Sequence, residues 1–128
     1  MILLTIEEIV QMHDMLISKT GGSAGIRDMG LLESAVYNVL ASFENVELYP
    51  TVEEKAARYA YGLTGNHAFV DGNKRIGIFV MLTVLRLNGV EIEYTQAELI
   101  SLGLSLADGS MGYQDVLTWI KTHKQNML

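Results

Sequence analysis

Apolar positions recur at helical spacing through most of the chain. Thr5-Ile6-Glu7-Glu8 sets a hydroxyl three residues before a carboxylate, the pattern of a capping box, and Ile6, Ile9, Val10, His13, Leu16 and Ile17 follow on one face. A first helix is predicted to about Thr20, where Gly21-Gly22 breaks it. Leu31, Leu32, Ala35, Val36, Val39, Leu40 and Phe43 make the buried stripe of a second helix, which starts near Asp28 or Gly30. Residues 44 to 50 read as a connection. Thr51-Val52-Glu53-Glu54 repeats the capping box and opens a third helix to about Asn66, with Val52, Ala56, Tyr59, Ala60 and Leu63 turned inward. Its small residues (Ala56, Ala57, Ala60, Gly62, Gly65) allow a close neighbour.

The next segment has a different pattern. Ile76, Ile78, Phe79, Val80, Met81, Leu82, Val84, Leu85 and Leu87 leave a helix apolar on nearly every side, and such a helix belongs at the centre of a fold. It starts near Gly72 or Asn73 and stops at Asn88-Gly89, a good C-cap. Val90 to Tyr94 alternates apolar and acidic residues and predicts a short strand, with residues 2 to 4 as its candidate partner. Thr95-Gln96-Ala97-Glu98 is a third capping box, opening a helix to Ala107. Asp108-Gly109 turns the chain into a last helix from about Ser110 to Lys124, burying Tyr113, Val116, Leu117 and Ile120. The expected fold is all-α: a compact bundle around one central buried helix, with at most a minor short β pair, in a single domain over residues 1 to 128.

Composition sharpens this picture. Hydrophobic residues make up 49% of the 128, enough for a packed core rather than a disordered chain. No cysteine is present, which excludes disulfides and thiolate metal sites and fits a reducing cytoplasm. The net charge of −6, with no basic stripe, argues against direct nucleic-acid binding and against an anionic membrane surface. No apolar run reaches the roughly 20 residues of a spanning helix. Met1-Ile2-Leu3-Leu4 lacks a basic leader and is not expected to be a signal peptide.

The chemistry is concentrated ahead of the central helix, in His67-Ala68-Phe69-Val70-Asp71-Gly72-Asn73-Lys74-Arg75. The first N–H groups of a helix have no intrahelical partner and carry partial positive charge. Gly72 lets the backbone approach a ligand closely, Asn73 adds an amide, and Lys74 and Arg75 add full charges. Together they make an anion site of the kind that holds phosphate. Adjacent helical residues point about 100° apart, so one of the two cations can face solvent, and Arg75 is the preferred anion ligand of the two. His67 is the candidate general base, because an imidazole with an ordinary pKa of about 6.5 can take a hydroxyl proton at neutral pH. The blander reading, a helix-end histidine bonded to a carbonyl, loses weight beside the eight residues that follow it. Asp71 is the candidate Mg²⁺ ligand, with an N-cap of the central helix as its structural alternative. Phe69 is expected to point inward and anchor the loop. His13 reads as a satisfied core histidine, His123 as exposed, and Arg27 with Asp28 as a structural pair.

Those nine residues resemble the signature of the Fic/Doc family, and Lys74-Arg75 resembles its Doc (death-on-curing) branch. Adenylyl-transferring Fic relatives have glycine at the place of Lys74 and a second arginine at the place of Ile78. The segment Gly25-Ile26-Arg27-Asp28, with Gly30-Leu31-Leu32-Glu33-Ser34-Ala35, resembles the Doc branch as well. The resemblance implies a Fic-type helical bundle. It also implies a toxin that moves the γ-phosphoryl of ATP, with Mg²⁺, to a hydroxyl of elongation factor Tu and halts translation. On this basis His67 is the base, Asp71 the metal ligand, and Gly72, Asn73, Lys74 and Arg75 the phosphate and nucleotide site. The implied partners are an antitoxin protein and an elongation factor Tu-like target. Tyr49 and its neighbours are read as a flap that aligns a target peptide. Self-inhibiting relatives carry a Ser/Thr-x-x-x-Glu-Gly/Asn segment. Here Glu44-Asn45 has Leu40 four places before the glutamate, so inhibition in trans is expected. The alternatives are AMP transfer to a protein hydroxyl and a non-catalytic nucleotide- or partner-binding module.

Overall fold

The computed structural model describes residues 1 to 124 and contains, among them, six α-helices: α1 (Ile6–Thr20), α2 (Met29–Tyr37), α3 (Val52–Gly65), α4 (Asn73–Leu87), α5 (Gln96–Ala107) and α6 (Tyr113–His123). A 3₁₀ turn, Asn38–Leu40, follows α2, and β1 (Ser42–Phe43) pairs antiparallel with β2 (Val46–Glu47). The predicted all-α class is what the structure has.

All three capping boxes form. Thr5, Thr51 and Thr95 accept from the backbone N–H of Glu8, Glu54 and Glu98, whose carboxylates return to the threonine N–H. Each box satisfies two donors that a helix start leaves orphaned, so these three boundaries are legible to the residue. The apolar helix α4 lies at the centre, with Ile76, Val80, Met81, Val84 and Leu85 buried against α3. Gly77 allows that approach, because a Cβ there would collide with Thr64 and the Ala60 carbonyl. α1, α2, α5 and α6 complete the core through Ile9, Leu32, Val36, Leu102, Val116 and Ile120.

Three expectations are corrected. The second helix does not reach Phe43 but ends at Tyr37, and Leu40 and Phe43 are exposed. Glu44 and Asn45, both at positive φ (50° and 66°), turn the chain into the hairpin that replaces the expected plain connection. A two-residue hairpin turn of type I′ demands that conformation. The hairpin base is held by the buried Lys55, whose ammonium donates to the Val39 and Tyr49 carbonyls and pairs with Glu47 at 3.0 Å. Residues 2 to 4 form no strand. Ile2 bonds through both backbone groups to the Asn88 side chain, and Leu4 bonds likewise to the Tyr59 hydroxyl. Ile92 instead bridges to Lys124, and the Glu93 N–H donates to the His123 carbonyl. Side chains thus satisfy the N-terminal backbone that a strand partner was expected to satisfy.

Candidate functional site

The loop from His67 to Gly72 connects α3 to α4 and is tied down at nearly every residue. Ala68 and Phe69 are buried, and Phe69 stacks on the His13 ring at 3.9 Å, so it is the inward anchor the sequence suggested. The Asn73 amide closes the loop on itself, accepting from the Phe69 N–H and donating to the Phe69 carbonyl, both at 3.0 Å. The part of Asn73 left for an anion is chiefly its backbone N–H at the first position of α4. Gly72 is the N-cap at φ +74°, a conformation glycine takes without strain. The capping alternative for Asp71 is therefore not what the chain adopts.

A second strand of chain, residues 21 to 28, straps this loop from outside. Arg27 and Asp28 donate backbone N–H groups to the Ala68 carbonyl, Val70 donates to the Gly25 carbonyl, and Ile26 bridges to Phe69. Arg27 and Asp28 do not pair with each other. The Arg27 guanidinium donates to the His67 carbonyl at 2.7 Å and to that of Asn66, while the Asp28 carboxylate caps α2 through the Leu31 N–H. His67 needs the support: its φ of +52° is a left-handed conformation that non-glycine residues avoid. The result is an exposed imidazole on a fixed backbone.

The Asp71 carboxylate accepts from Ser23 N–H at 3.1 Å and Gly72 N–H at 2.8 Å and faces Arg75 at 3.8 Å. These backbone donors outweigh the desolvation of the carboxyl and, with smaller contributions from Arg75 and His13, hold it below the ordinary carboxylate range. It is ionised at neutral pH and half-exposed. A carboxylate has about four lone-pair directions, and the bonds named leave room for a hard cation beside a phosphate. Among the described residues no cluster of three or more carboxylates or imidazoles forms a metal cage, so a cation here would need phosphate oxygens and water to complete its shell.

The two cations are engaged differently. The Arg75 guanidinium donates to the Thr20 hydroxyl and to the Gly21 carbonyl, besides facing Asp71. Most of its fork is spent on the end of α1. No hydrogen bond or ion pair engages the Lys74 ammonium among the described residues, so its full charge is the available one. His67, Asp71, Gly72, Asn73, Lys74 and Arg75 line one open cavity of about 410 Å³, with Thr64, Val70 and Ala107. The sequence did not single out Thr64, whose buried hydroxyl has no partner, or Ala107 at the end of α5. Nothing in their local pattern marks them. An apolar groove of about 450 Å³ between α1, α4 and α5 continues from Lys74 and Arg75.

Two other residues are placed differently from their sequence readings. His13 is buried and its Nε2 donates to the Asp71 carbonyl at 2.7 Å, but Nδ1 has no partner, so it is only half satisfied. His123 is not simply exposed: it stacks on Trp119 and lies 2.5 Å from the Glu98 carboxylate, because α6 ends against the start of α5. The neighbours of Tyr49 form the exposed β1–β2 hairpin, while the Tyr49 ring itself packs edge-on against Tyr113 at its base.

Residues 3 to 85 match the model of the Fic/DOC family. The chain is 43% identical over 72 residues to "Toxin Doc" of Mycolicibacterium smegmatis, a stretch covering 56% of this chain and 55% of that protein. It is 33% identical over 110 residues to "Protein kinase doc" of Escherichia phage P1, covering 86% of each. The first similarity thus spans about half of that relative's length and the second most of it. Among the described residues no helix is long and apolar enough to cross a membrane.

Proposed function

The chain belongs to the Fic/DOC family, and from that premise we propose that it is a Doc-type toxin that transfers the γ-phosphoryl of ATP to a hydroxyl of a protein. The observation that carries this reading is the convergence of an exposed imidazole, an ionised carboxylate, an unpaired ammonium and a helix N-terminus on one cavity. The name of the phage relative, a protein kinase, supports phosphoryl transfer, as do Lys74 and Ile78 where AMP-transferring relatives have glycine and arginine.

In this reading the acceptor hydroxyl meets His67, which takes its proton as the oxygen bonds to the γ-phosphorus. The bond from that phosphorus to the β–γ bridging oxygen breaks, and ADP leaves. Lys74 and the N–H groups at the start of α4 hold the charge on the transferring group, which is most of what phosphoryl transfer asks of a protein. Asp71 would hold Mg²⁺, which supplies charge neutralisation and orientation of the phosphates. Arg75 keeps Asp71 in place more than it contacts the nucleotide, and Arg27 fixes the backbone that carries His67. An elongation factor Tu-like protein is the proposed acceptor and an antitoxin the proposed inhibitor, by analogy with the toxin named among the relatives.

Replacing His67 by alanine tests the assignment. Transfer from γ-labelled ATP is expected to fall by at least a hundredfold, the usual scale of general-base catalysis, with the far-ultraviolet circular dichroism unchanged. Full transfer by that variant would remove His67 from the mechanism.

A further inference from the structure

Arg58 sits on the outward side of α3 with its guanidinium carbon 5.5 Å from the ring centre of Tyr49 and 5.3 Å from that of Tyr61. Its Nε is buried without a hydrogen-bond partner, and none of its nitrogens makes a hydrogen bond or ion pair among the described residues. Arg27 and Arg75, by contrast, each spend their donors on carbonyls or a carboxylate. Glu54, the carboxylate one turn before Arg58, spends Oε1 on the Thr51 cap. The Tyr113 hydroxyl, also buried without a partner, lies close enough to feel the Arg58 charge. Burial, then Glu54 and Tyr49, push that phenol up to about 12 against the opposing effect of Arg58. A half-buried guanidinium held between aromatic faces with no acceptor is a desolvated donor waiting for one. Tyrosine and arginine are also the residues on which protein interfaces concentrate their affinity.

The position of the cluster gives it a role. Arg58, Tyr61 and Gly65 share one helical face, with Tyr61 and Gly65 exposed, and that face runs out at Asn66 and His67. Seven residues at 1.5 Å each put Arg58 about 10 Å from Gly65 at the end of α3, and the two further residues to His67 bring the span to roughly 14 Å. An extended peptide covers that span in about four residues at 3.3 Å each. On a chain of net charge −6, a cation without a protein carboxylate of its own is the complement of an acidic residue on an incoming segment.

We propose that Arg58, framed by Tyr49 and Tyr61, determines acceptor specificity by binding a carboxylate side chain about four residues from the hydroxyl presented to His67. It rests on the phosphotransferase reading for the identity of that hydroxyl. The bidentate fork of arginine suits a carboxylate, and lysine would replace only the charge.

The test uses fluorescein-labelled eleven-residue peptides with a central serine and a glutamate four places before or four places after it, each paired with its glutamine counterpart. Fluorescence anisotropy with the whole protein is expected to show about tenfold tighter binding of one glutamate peptide than of its glutamine pair, a difference of about 1.4 kcal/mol. Arg58→Gln should remove the preference by weakening the glutamate peptide alone, and Arg58→Lys should restore part of it. Equal affinity of the wild type for both members of each pair, absence of binding at about 1 mM, or an undiminished preference in Arg58→Gln overturns the assignment. Transfer of γ-label to the same peptides separates the two claims. Transfer without preference refutes the role of Arg58 alone, whereas preference without transfer to peptide or protein counts against the phosphotransferase reading.

Discussion

Substituting Gly22 by alanine should disturb the candidate site from outside, through the Asp71 carboxylate. Gly21 and Gly22 are neighbours, both at positive φ (86° and 112°), so alanine is strained at either, by roughly 1–2 kcal/mol. They differ in what a methyl group would meet. At Gly21 there is nothing within 4 Å, whereas at Gly22 the new Cβ would lie 2.5 Å from Asp71 Oδ2 and 3.0 Å from the Arg75 guanidinium. To restore even a tight 3.0 Å contact, the oxygen must retreat by 3.0 − 2.5 = 0.5 Å. Its bond to the Ser23 N–H, now 3.1 Å, would then stretch toward about 3.6 Å, where no hydrogen bond survives. Overpacking costs of about 1–3 kcal/mol add to the backbone strain, so Gly22→Ala should lose about 2–5 kcal/mol and Gly21→Ala about 1–2. Urea unfolding measures both. Removing the nearer obstacle should shrink the difference: in an Asp71→Ala background Gly22→Ala should cost less than in the wild type while Gly21→Ala is unchanged, a coupling that a double-mutant cycle reads directly. Equal costs in the wild-type background would refute the packing of the 21–28 strap on Asp71.

Three further outcomes are expected. Both His123 ring nitrogens face acceptors, the Trp119 carbonyl and the Glu98 carboxylate, and these outweigh the desolvation of the ring to raise its pKa, while Thr95 backbone and His123 contacts lower that of Glu98. Their mutual stabilisation is complete between about pH 4.5 and 6.5, fading on the alkaline side as pH rises through the raised histidine pKa and on the acid side as pH falls through the lowered glutamate pKa. Glu98→Gln should therefore flatten the fall in stability above pH 6.5 seen by urea unfolding, and an unchanged slope would dismiss the pair. Lys55→Met strips the donor from two carbonyls at the hairpin base and should cost about 2–3 kcal/mol by the same assay; a neutral result would mean the hairpin is held otherwise. Arg27→Ala frees the His67 backbone and should cut kcat about tenfold with the helical signal intact, an effect that undiminished turnover would contradict.

The helices with capping boxes were readable because each box is a local hydrogen-bond arrangement, complete within four residues. The start of α4 was readable for the same reason: Gly72 caps the helix that Asn73 and Lys74 open. What could not be read depends on distant partners. Arg27 looked like a mate for Asp28, yet its acceptors lie some 40 residues away in His67 and Asn66. The engagement of Arg75 with Thr20 and Gly21 is likewise tertiary, some 55 residues back in the chain, and has no local sign. The end of α2 was placed too late because Leu40 and Phe43 continue an apolar stripe that the structure leaves in solvent. His123 seemed idle for want of any sequence sign that α5 starts beside it.

The most direct measurement of the central claim is a paired labelling of bacterial lysate by the purified protein with Mg²⁺, one sample receiving ATP labelled at the γ-phosphate and the other ATP labelled at the α-phosphate. A protein band labelled from γ alone, and lost with His67→Ala, is the predicted result. A band labelled from α would contradict phosphoryl transfer and assign nucleotide transfer to the same cavity.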